Sequence, residues 1–188
     1  MPQDDPKKRA QIARMRAILG FDAPITEREQ PGSQYGGFNT LSGDIEIAPG
    51  QPHNMRYLAH EGSHAQDYEG KNWIGRAIWQ AKVAATIPDK EGNPTFHLPI
   101  RGIERRAEEG GEAYRIMQKI NQMTNPEVAG QWLDYELDTP QSVGDYDVLY
   151  GFPNRDAILE KIQEYSRHQS NRGSMIRRAL LASGRELQ

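Results

Sequence analysis

The 188-residue chain contains no cysteine. That removes disulfides and thiolate ligands together, so stability has to come from packing and any metal has to be held by His, Asp or Glu. Aromatic residues are few, at 8%, and the hydrophobic share is only 36% with a mean hydropathy of −0.82. These values suit a modest core under a wet surface. Nowhere does an apolar run approach the roughly 18 residues of a membrane span, so none is expected. An excess of positive charge is missing as well. A net charge of −3 and a pI near 6.0 offer no dominant basic face, so nucleic acid is not an expected partner. Met1 to Arg16 is charged and lacks the apolar stretch of a secretory signal. The expectation is a cytoplasmic protein, or one exported without a Sec signal peptide.

What is present reads as helices around one small sheet. The length suits a single domain over residues 1–188, with an N-terminal helix in 1–22, a core in 35–123 and C-terminal helices in 124–188. Pro6 to Leu19 reads as an amphipathic helix ended by Gly20. Residues 24–52 are rich in Pro and Gly and enclose two strand-like pieces, Gly37 to Leu41 and Asp44 to Ala48, joined by a turn at Gly43. The second piece alternates polar and apolar residues and reads as a sheet edge. Helices follow over His53–Tyr68, Trp73–Ile87, Pro99–Met123, Asn125–Leu137, Asn154–His168 and Gly173–Leu187. In the Pro99–Met123 run, Ile103, Ala107, Gly110, Tyr114 and Met117 make the buried stripe, and a close helix neighbour would explain Gly110 and Gly111. Trp73, Trp79 and Trp132 are expected in the core or at helix interfaces. The fold class is α+β, mostly helical, with a small antiparallel or mixed sheet beside the helix that carries residues 60–64.

That helix carries the chemistry. His60-Glu61-Gly62-Ser63-His64 places two imidazoles one turn apart on one face, so both can point at one ion with Glu61 alongside. Two histidines leave zinc short of the three protein ligands that catalytic sites use. The run Glu104 to Glu112 repeats carboxylates at Glu104, Glu108 and Glu112 along one helix face. Glu104 is the favoured third ligand. Glu108 then either accepts the free imidazole N–H of a ligand or takes the place of Glu104.

With these residues in view, the stretch Tyr57 to Gln66 followed by Glu104-Arg105-Arg106-Ala107 resembles the HExxHxxQ…ExxA arrangement of small bacterial and phage metallopeptidases. These belong to the gluzincin branch of the zincin superfamily, and the resemblance covers about residues 35–116. It implies Zn2+ as cofactor and a peptide or protein substrate. It also implies an active-site helix below a sheet whose edge strand, here Asp44 to Ala48, pairs with that substrate. Glu61 would act as general base on a metal-activated water. The candidates for an oxyanion donor are Tyr114, Tyr146, Tyr150, His97 and His53, with Tyr146 and Tyr150 ranked slightly above the rest because their glycine-containing segment could cover a cleft. Gly62 departs from the pattern, where such families carry a bulkier residue. Two other functions share the scaffold: a zinc isopeptidase or amidase acting on cell-wall or modified protein, and a zincin-like binding module without turnover.

Overall fold

The computed structural model describes residues 6–27, 36–48, 55–85, 101–138, 154–168 and 174–185. Helices make up 73% of them and a three-stranded mixed sheet most of the remaining regular structure, an α+β class. In chain order the elements are α1 (Pro6–Leu19), β1 (Ile25–Glu27), β2 (Gly36–Asn39), β3 (Asp44–Ile47), α2 (Met55–Glu69), α3 (Trp73–Ala84), α4 (Arg101–Ile120), α5 (Pro126–Asp138), α6 (Arg155–His168) and α7 (Met175–Ala182). Among the described residues no helix is long and apolar enough to cross a membrane.

The helix ends follow local chemistry. Asn72 caps α3 by accepting the Gly75 N–H at 2.9 Å. Asn125 does the same for the first turn of α5, ahead of Pro126, whose missing N–H is not needed at that position. Asn154 caps α6, and its own backbone N–H donates to Glu109 on α4 at 3.1 Å, tying the start of α6 to that helix.

The sheet order is β1-β3-β2. β3 runs antiparallel to β2 across the 40–43 turn, with Phe38 opposite Ile45, and parallel to β1, with Ile25 opposite Ile45. The strand expected at the edge, Asp44 to Ala48, is therefore the central one. Its alternation places Ile45 and Ile47 in the core and leaves Asp44 and Glu46 half-buried, as a one-sided strand requires. Alternation reports which face is buried and carries no information about neighbours in the sheet plane. β1 supplies the unexpected neighbour. Three residues are too few to show a period.

α2 is buried along its middle, from Leu58 through Ala65. Its main partner is α4, and the two helices approach closely because of glycine, as the sequence suggested. A Cβ on Gly110 would lie 2.0 Å from Ser63 Oγ, whereas one on Gly111 would make ordinary contact, 3.5 Å from His60 Cβ. Gly62 is explained on the other side of α2, where a Cβ would meet the Phe21 ring at 2.4 Å. The expected α4 stripe of Ile103, Ala107, Gly110, Tyr114 and Met117 is buried. Trp79 is in a small core with Ile103, Phe38 and Tyr68, and Trp132 packs against the main core. Trp73 is not a core residue. It is 79% exposed on the outer face of α3, because that helix buries only its Trp79 side.

Candidate metal centre

α2 presents His60 and His64, one turn apart, toward α4, which presents Glu104 and Glu108. His60 Nε2 lies 3.2 Å from His64 Nε2, and Glu104 Oε2 lies 3.4 Å from both. These three donors form one group able to hold a metal ion. Zinc bonds of about 2.0–2.1 Å at tetrahedral angles separate two ligand atoms by roughly 3.3 Å. The three separations are those of one face of such a tetrahedron. Both histidines are buried, and the Glu104 side chain is only 16% exposed.

Glu108, the other candidate, sits elsewhere. Its Oε1 is 3.3 Å from the opposite ring nitrogen of His60, Nδ1. Its Oε2 accepts from Arg56 Nη2 at 2.7 Å. The structure thus brings Glu104 to the donor group and leaves Glu108 behind His60. Glu112, a further turn along, is buried between Arg56 and Arg115.

Electrostatics point the same way. Burial alone would pull His60 down, yet the carboxylates of Glu104 and Glu108 and the charge of Glu61 hold it up at about 10. Burial would raise Glu104, but the two histidines hold it well below the usual carboxylate range. Glu108 is likewise held down, against its burial, by His60 and Arg56. Carboxylates outnumber cationic side chains around the two rings, so the pocket favours a positive charge at its centre.

Glu61 is buried beside His60. One turn earlier, the half-buried Tyr57 hydrogen-bonds to it. Burial, and then the charge of Glu61 and this bond, push the phenol well above its ordinary value, so the hydroxyl keeps its proton and donates it. Tyr57 was not among the expected oxyanion donors. Its four-residue spacing from Glu61 was the available signal. Tyr114, which was among them, is buried in the core, and its hydroxyl accepts from Gln118 at 2.8 Å, away from the donor group. Tyr146, Tyr150, His97 and His53 lie outside the described residues. Gln66 lines a separate open cavity of about 620 Å³ with Ser63, Lys161 and Glu164. Sequence reasoning also missed Arg56, Arg115 and Glu136, because nothing in their spacing separates them from surface charges.

An aromatic group borders the site. The Trp79 ring meets His64 edge-on at 6.0 Å, and Phe38 of β2 packs on Trp79 at 6.2 Å and on Tyr68 at 5.6 Å. The Trp79 indole N–H donates to Asp67 at 3.1 Å. No family model matches the chain, and no curated protein or solved structure matches it.

Proposed function

We propose that the chain is a zinc-dependent metallopeptidase of the gluzincin type. The observation that carries the reading is the spacing of His60 Nε2, His64 Nε2 and Glu104 Oε2, 3.2 to 3.4 Å apart and largely shielded from solvent. His60, His64 and Glu104 would hold the ion. Zinc, when bound, supplies a water acidified toward about neutrality and a Lewis acid for the scissile carbonyl. Glu61 would serve as the general base and proton carrier to the leaving amine, with Tyr57 steadying its carboxylate. Glu108 holds the far nitrogen of His60.

Substrate docking is assigned to β2 instead of β3. Two observations support it: β2 has β3 as its only strand partner among the described residues, and Phe38 connects β2 to Trp79 beside His64. That edge is where an extended peptide would add by main-chain hydrogen bonds.

Elemental analysis after zinc reconstitution tests the metal. The expected outcome is about one equivalent in the wild type and under about a tenth in His60→Ala, His64→Ala and Glu104→Ala. Glu108→Ala still fills at saturating zinc. Glu61→Gln keeps the metal and loses about 10²–10⁴-fold in cleavage of a diverse peptide library. A wild type that takes up no zinc sinks the reading, and a zinc-loaded wild type that cleaves no peptide leaves the isopeptidase or amidase and the binding module.

A further inference from the structure

We propose that Arg56 is a positioning residue for the metal centre: by anchoring Glu108 it decides which ring nitrogen of His60 faces the cation. The inference rests on the metal reading above. His60 stands between two carboxylates, Glu104 Oε2 at 3.4 Å from Nε2 and Glu108 Oε1 at 3.3 Å from Nδ1. A cation displaces the proton from the nitrogen it binds, and the other nitrogen keeps its own. The proton therefore has to be held at Nδ1. Glu108 does this only while its carboxylate is turned toward the ring.

Arg56 sets that orientation. It precedes His60 by one turn, so both side chains leave the same side of α2 and meet Glu108 and Glu112, themselves one turn apart on α4. Its Nη2 donates to Glu108 Oε2 at 2.7 Å, and its Nε lies 3.5 Å from Glu112 Oε2. Glu112 is in turn gripped by Arg115 at 2.6 and 3.0 Å, and Arg115 reaches Glu136 on α5. Glu112 and Glu136 are buried, so neither gives way to water. A lysine at position 56 would carry the charge and still lose the fork that spans two carboxylates. His64 has no equivalent device. Among the described residues its ion pair is with Glu104 through Nε2, and no carboxylate stands across from its Nδ1 as Glu108 stands across from that of His60. Control of the site through a carboxylate therefore runs through His60.

The test uses the full chain labelled with ¹⁵N-histidine and read without metal by NMR. A slowly exchanging His60 Nδ1 proton, assigned by its loss in His60→Ala, is expected in the wild type. Arg56→Lys and Arg56→Met lose its protection while their circular dichroism and melting stay cooperative. Zinc affinity, from competition with a chromophoric chelator, falls by about 10–100-fold in both. Glu108→Gln gives a similar loss, and combining it with Arg56→Met adds little, because Arg56 acts through Glu108. Two results overturn the inference: an unprotected Nδ1 proton in the wild type, or folded Arg56 variants that keep both the protected proton and the affinity. If protection depends on Arg56 but the wild type takes up no zinc, Arg56 still orients Glu108 on His60 while the metallopeptidase reading, and with it the role at a metal centre, fails. If zinc binds and protection ignores Arg56, the reverse holds.

Discussion

Glu61 is buried, and a buried carboxylate needs partners to hold it at a useful angle. Tyr57 provides one from a single turn away. Removing the hydroxyl deletes one hydrogen bond to a charged group, a contribution of about 1.5–3 kcal/mol. Tyr57→Phe is accordingly expected to lower kcat by about tenfold or more while zinc content stays at the wild-type level. Paired kinetics and elemental analysis check it. Unchanged kcat would show that the bond plays no part in turnover. The pair Glu104 and Glu108 teaches a related lesson. Both are glutamates on one face of α4, a turn apart, and their chemistry differs only because one meets Nε2 of both histidines and the other meets Nδ1 of His60.

Between α2 and α4 the separation is set by absent side chains. An added methyl at Gly110 would lie 2.8 Å from Ser63 Cβ as well as 2.0 Å from its hydroxyl, and because a Cβ moves only with its backbone the helices have to shift. Gly110→Ala is expected to destabilise the fold by about 1–3 kcal/mol and, on the proposed metal reading, to reduce zinc affinity, because the helices that carry His60, His64 and Glu104 move apart. Denaturant melts and a zinc titration check both parts. Ser63→Gly in the same background is expected to recover part of the loss. A Gly110→Ala protein as stable as wild type would remove the close-packing explanation. Most helices were legible from periodicity, and α1 spans the same residues in sequence and structure. α3 shows where the signal misleads. Its apolar residues exceed what its single buried face needs, so Trp73 was expected inside and is exposed.

Across the whole molecule, Asp67 joins three helices by receiving Lys71 at 2.7 Å, Arg106 of α4 at 2.9 Å and the Trp79 indole of α3 at 3.1 Å. Burial would raise its pKa, but the hydrogen bonds of Lys71 and Arg106 lower it from 3.8 to about 2. A carboxylate with a depressed folded-state value stabilises the fold fully above its unfolded value, and that contribution fades as the pH falls through the folded one. The shift corresponds to at most about 2 kcal/mol, and nearer 1 once the screening of a partly exposed group is allowed for. The stability difference between wild type and Asp67→Asn should therefore be constant above about pH 4 and shrink toward pH 2. Urea melts at several acid pH values measure it, and a difference independent of pH across that window would count against the assignment.

Taken alone, the sequence determined the donor chemistry and the helix that bears it. Without cysteine any metal ligands had to be His, Asp or Glu, and the four-residue spacing of His60 and His64 put both rings on one face of a helix with an apolar flank. The tertiary structure decided what a repeating pattern leaves degenerate. Carboxylates at Glu104, Glu108 and Glu112 recur once per turn, so the sequence is nearly unchanged by a one-turn slide of α4 along α2. The close packing of Gly110 on Ser63 fits one register, and in it Glu104 meets the two Nε2 atoms, Glu108 lies behind His60 and Glu112 lies on Arg56 and Arg115. The central place of β3 was decided in the same way, by pairing with the three-residue β1, a contact between segments too far apart in the chain for any local pattern to report.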